Sequence, residues 1–130
     1  DRDWLESSTP VPNWHDYCAQ IETNREASLA QRSVLNNIYK NSLPKDLQLP
    51  GTYQTWRFNI RVKHKAKVLS AIFAAGLFAS SHYASMAGIM ADGFTPQADA
   101  LSDEVINLFN DDHFDEHKAQ KTCEVILGNI

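Results

Sequence analysis

The stretch Gly76-Leu77-Phe78-Ala79-Ser80-Ser81-His82-Tyr83-Ala84-Ser85 decides the fold. Gly76 is placed to end a helix, since glycine enters left-handed backbone without a steric penalty. Phe78 to Tyr83 is short and bounded, and reads as a strand. It delivers His82 and Tyr83 to the start of a loop, Ala84 to Gly93, with an apolar middle at Met86, Ile89 and Met90. A histidine and a tyrosine at a strand end can offer polar groups to a ligand or a phosphate. They can equally pair with each other and fix the loop.

The segments before this stretch supply a platform. Residues 1–12 hold Pro10 and Pro12 in a polar setting and read as an extended lead-in. Asn13 is a plausible N-cap for a long helix running to about Tyr39. Trp14, Tyr17, Cys18 and Ile21 give one apolar face, predicted to be buried. The pattern fades from Glu22 to Glu26 and resumes at Ala27, Ala30, Val34, Leu35 and Ile38. Asn41 to Pro44 ends the helix, and Pro50-Gly51 marks a turn. Tyr53 to Val62 alternates: Trp56, Phe58, Ile60 and Val62 on one side, Arg57, Asn59 and Arg61 on the other. Lys65 to Ala75 reads as a helix with a stripe of Val68, Leu69, Ile72 and Phe73.

The segments after it close the domain. Thr95-Pro96 is a cap and first-turn pair for a short helix, about Gln97 to Asp103. Val105 to Phe109 either continues that helix or forms a strand; its β-branched pair and the following Asn110-Asp111-Asp112 turn favour the strand. Asp115 caps a last helix, Glu116 to Leu127, with Phe114 and Ala119 at the staple positions and Gly128 at its end. Ala119, Thr122, Cys123 and Ile126 face the core. The prediction is a two-layer α+β domain over 13–130: a short, mostly antiparallel sheet, helices on one face, and a long N-terminal helix.

The bulk numbers agree with one domain. The chain has 130 residues, 43% of them hydrophobic and 22% charged, with a net charge of -4. That acidity argues against nucleic acid and membrane as partners. No apolar run approaches the ~20 residues of a membrane helix. Cys18 and Cys123 lack CxxC spacing and fit reduced thiols in a cytoplasmic protein, with a disulfide between them left open. The chain begins at Asp1 rather than Met, which fits a fragment or a processed product.

Three constellations have a chemical reading and a plainer one. His113 and His117 stand four apart in an acidic cluster, but the cap at Asp115 falls between them, so no metal is expected. The run Arg57, Arg61, Lys63, His64, Lys65 and Lys67 interleaves with Trp56 and Phe58 as in an RNA-binding sheet. Alternation puts these aromatics opposite the arginines, so a solvated charged face is expected. Exposure of both Trp56 and Phe58 is what the RNA reading requires. Glycine-rich phosphate loops, GxSxG and HExxH are missing from the sequence, and no lysine sits in a small-residue setting suited to a Schiff base.

From about Tyr53 to Leu127 the chain resembles the C-terminal part of the DegT/DnrJ-type sugar aminotransferases. The resemblance is carried by Trp56-Arg57-Phe58-Asn59-Ile60-Arg61-Val62, Ala75-Gly76-Leu77-Phe78, Ser81-His82-Tyr83, the helix from Ala98 to Glu104, Val105 to Asp111, and the helix from Phe114 onward. Ala84 and Phe109 stand where family members usually have proline. The resemblance implies the small domain of a fold-type I enzyme that uses pyridoxal phosphate, usually as a homodimer. Such enzymes move an amino group, typically from glutamate, onto a nucleotide-linked keto-sugar; some relatives are dehydratases or regulators. It places the Schiff-base lysine and most cofactor contacts in a large N-terminal domain outside these 130 residues. It leaves His82 and Tyr83 as substrate-binding candidates and implies no catalytic, cofactor-binding or metal residue here. The contrasting reading is a stand-alone binding or scaffolding module that kept the fold without the catalytic domain.

Overall fold

The computed structural model describes residues 13–82, 84–90 and 95–130. The expected lead-in over 1–12 lies outside the described residues. Helix α1 spans Trp14–Ser42. The Asn13 side chain starts it by accepting a hydrogen bond from the His15 N–H at 2.9 Å. Leu43, ahead of Pro44, turns extended and stops it.

At 29 residues α1 is about 43 Å long, and the other described elements cover only part of it. Only its C-terminal half reaches the core, through Leu35 and Tyr39, both fully buried. The predicted buried face at the other end is not buried. Trp14 is 75% exposed, Tyr17 and Ile21 are exposed, and only Cys18 is half-covered. Ala27, Ala30 and Val34 are exposed as well. Periodicity identifies which face is apolar; it carries no information on whether anything packs there.

The sheet contains β1 (Phe58–Arg61), β2 (Ala79–Ser80) and β3 (Val105–Leu108) in the order β1-β3-β2, antiparallel throughout. Segment 105–108 is thus the central strand. Phe58 faces Leu108, Ile60 faces Ile106 and Ala79 faces Leu108, which puts these residues on one side of the sheet. All five are buried there with Leu35 and Tyr39 of α1, Val68 and Ile72 of α2 (Lys65–Ala74), and Ala119, Cys123 and Ile126 of α5 (Glu116–Leu127). The other side carries Asn59, Arg61, Ser80, Val105 and Asn107.

Two predicted strands are shorter than expected. Gly51–Tyr53 forms a 3-10 turn and residues 55–57 bend, so β1 starts only at Phe58. Polar side chains cause this by capturing backbone groups. Gln54 Nε2 donates to the Leu49 and Asn59 carbonyls at 2.8 and 3.1 Å, folding 49–57 back on the strand. Trp56 therefore leaves the predicted core side and is 47% exposed, while Phe58, Ile60 and Val62 stay buried. In the Phe78–Tyr83 strand only Ala79 and Ser80 pair; Tyr83 lies outside the described residues.

Helix α2 ends as its sequence requires. Gly76 sits at φ 72°, its N–H reaches the Phe73 carbonyl at 3.0 Å, and the Leu77 N–H reaches Ile72 at 3.1 Å. Phe73 departs from the predicted stripe: it is exposed and stacks on Phe78 at 5.7 Å. The loop after His82 contains a single helical turn, α3 (Ala87–Met90), and then α4 (Pro96–Glu104) with Pro96 in its first turn. Helix α5 is capped by Asp115, whose Oδ1 accepts from the Lys118 N–H at 2.7 Å, with Phe114 and Ala119 buried beneath.

Candidate functional site

The outer face of the sheet is where polar chemistry collects. Residues 49–56 wall it on one side and α4 on the other, leaving a cleft of about 350 Å³. Its lining includes Tyr53, Trp56, Asn59, His82, Leu101 and Asn107. Among the described residues of the lining there is no lysine, arginine, aspartate or glutamate. The surface offered is mostly apolar side chains and aromatic rings, with a few amides and hydroxyls, a combination suited to an uncharged ring rather than to an ion.

His82 is exposed at the mouth, with its ring 5.3 Å from that of Trp56. Its backbone N–H donates to Asn107 Oδ1 at 3.1 Å. Asn107 is buried and sits opposite Asn59 in the strand register, and its Nδ2 donates to Asn59 Oδ1 at 2.6 Å. Sequence reasoning passed over Asn59 and Asn107. The signal was present: asparagine is depleted in strands, and each stands between buried apolar neighbours, Phe58 and Ile60, Ile106 and Leu108.

Trp56, predicted for the core, instead belongs to the cleft. Phe58 is buried, so the two exposed rings required for stacking bases reduce to one. The basic run also divides. Arg57, expected in a solvated face, has a side chain only 11% exposed and pairs with Asp111 at 2.8 Å. Its guanidinium lies 4.0 Å from the Phe109 ring centre and 4.9 Å from that of Trp56. Residue 57 is in the bend before β1, which turns it inward. Arg61 pairs with Glu104 across the sheet edge.

A second cavity of about 490 Å³ is lined by both signs of charge, Arg61, Lys63, Asp46 and Glu104 among them. Arg61 and Glu104 are already committed to each other there. The histidine pair separates as the cap predicts: His113 lies in the turn before Asp115 and His117 in the first turn of α5, both exposed.

Two groups are shut off from chemistry by burial. The Tyr39 hydroxyl donates to the Phe109 carbonyl at 2.6 Å, and desolvation raises its pKa far above the ordinary phenol range. Desolvation likewise pushes the Cys123 thiol up to about 11, against a hydrogen bond with Ser42 that acts to lower it. Cys18 and Cys123 are free thiols.

Pyridoxal phosphate makes two demands on a site. A Schiff base needs an available amine, and the pyridine nitrogen needs a carboxylate. The Lys65 amine is held by Ser81 Oγ at 2.9 Å and by the Ser102 carbonyl. The described residues of the cleft lining supply no carboxylate. The described lining of this cleft thus presents neither a lysine amine nor a carboxylate.

Comparison with protein families, with curated proteins and with solved structures found no match to this chain. Among the described residues no helix is long and apolar enough to cross a membrane.

Proposed function

We propose that this chain acts as the small, substrate-covering domain of a pyridoxal-phosphate-dependent aminotransferase for a nucleotide-linked keto-sugar. The sequence resemblance around Ser81-His82-Tyr83 is one support. The observation that carries the reading is the cleft beside His82: among its described lining residues it offers surface to a sugar-like ring but no lysine amine or carboxylate to react with it. Such a half-site needs a second domain to bring the chemistry. The apolar face of α1 from Trp14 to Ile21, which no described element covers, gives that domain a place to pack. The enzyme is proposed to work as a cytoplasmic homodimer, with His82 and Tyr83 as substrate contacts.

The stand-alone binding module is the second reading, favoured by the same cleft if no catalytic domain accompanies it. One experiment bears on the cofactor assignment directly. The chain is mixed with an equimolar amount of pyridoxal phosphate, reduced with borohydride and mapped by mass spectrometry. Scattered, substoichiometric labelling is expected. Stoichiometric label on one lysine contradicts the proposal, since this chain would then hold the cofactor itself.

A further inference from the structure

Two asparagines opposite each other on the outer face of the sheet are an unusual choice, because the side chain competes for backbone hydrogen bonds. Asn107 is 4% exposed, so its amide must find partners within the protein. It does so on both sides: its Oδ1 takes the His82 N–H and its Nδ2 meets Asn59. Asn59 continues the chain, its own Nδ2 donating to the Arg57 carbonyl at 3.2 Å and to the Tyr53 carbonyl. Tyr53 and Arg57 bracket Trp56. Hydrogen bonds thus run from the turn carrying His82, through two side chains, to the turn carrying Trp56.

We propose that Asn107 is a positioning residue that, with Asn59, sets the separation of Trp56 and His82 at the mouth of the cleft. The strand ladder pairs 58–61 and 79–80 with β3 and stops short of both rings. The amide pair reaches past the ends of the ladder on both sides. It joins the two turns at residues that neighbour the rings. The aperture a ligand meets is therefore fixed from inside the sheet, by a side chain that is itself nearly inaccessible. This inference stands apart from the aminotransferase reading and concerns the cleft whatever enters it.

The test uses the full chain, isotopically labelled, as Asn107→Ala and, for comparison, Ser80→Ala on the same face. Two quantities are read by NMR: proton contacts between the Trp56 indole and the His82 imidazole, and amide exchange at His82 relative to Ile106. In Asn107→Ala the ring contacts disappear, and His82 exchange accelerates roughly tenfold more than Ile106, as expected for losing one neutral hydrogen bond locally. Ser80→Ala does neither. Ring contacts that persist, or equal acceleration at both amides, overturn the proposal, because loss of stability alone would do that. If Asn107→Ala does not fold, Asn107→Asp keeps the acceptor for His82 and removes the donor to Asn59. His82 then stays protected while the ring contacts weaken; contacts at full strength overturn the proposal.

Discussion

One helix carries two opposite predictions. Leu35 and Ile21 both lie on the apolar side of α1, two heptads apart, yet Leu35 is 0% exposed and Ile21 is 45% exposed. Truncating Leu35 to alanine removes three buried carbons from the layer between α1, the sheet and α5. That costs the transfer of those atoms plus the cavity left behind, about 3 kcal/mol by analogy with buried Leu→Ala series. Truncating Ile21 removes carbons that already touch water on one side. Alanine's better helix propensity offsets part of the remainder, so the net change is within about 0.5 kcal/mol. Urea unfolding at low micromolar protein, followed by circular dichroism, measures both. The reasoning fails if Ile21→Ala costs more than about 1 kcal/mol. The N-terminal half of α1 would then be packed in solution against something the fold does not supply.

Three further outcomes follow from the same contacts. Asp111→Asn leaves the largely buried Arg57 guanidinium without its carboxylate against Phe109, so it should lower stability by about 1–3 kcal/mol, read from denaturant midpoints, and 0.5 M salt should not abolish the difference. Gly76→Ala forces a Cβ into left-handed backbone and should cost about 1 kcal/mol, read as a lower thermal midpoint with an unchanged core. Cys123 should resist a thiol reagent at pH 8 while Cys18 reacts. Since the folded Cys123 pKa of about 11 lies above its ordinary 9.0, its contribution to stability is complete below pH 9 and is lost as pH rises toward 11. Equal reaction rates for the two thiols would refute the burial argument.

Local signals in the sequence carried much of the fold. Caps and stops at Asn13, Pro44, Gly76, Pro96 and Asp115 depend on backbone rules acting within four or five residues, and each marks a helix end in the structure. The β-branched run at Val105 was readable for the same reason. What failed was non-local. Trp56 and Phe73 satisfied the period of a buried face, but coverage depends on elements distant in the chain. Trp14, Tyr17 and Ile21 failed because no described element covers them. The cleft was only half legible: His82 stood out by residue type, whereas Trp56 entered because Gln54 bent the chain. Asn59 and Asn107 became visible as a pair only once β1 and β3 were in register.

The central claim is that this domain supplies one half of a site and another domain supplies the reacting groups. The measurement that tests it most directly is the mass of the protein in its source cells, by immunoblot with an antibody to this domain. The account predicts a band near three times the 14.7 kDa of this chain, because a large cofactor-binding domain adds about 250 residues. A single band at 14.7 kDa, with no second subunit co-purifying, would contradict it and leave the binding module as the reading of the cleft.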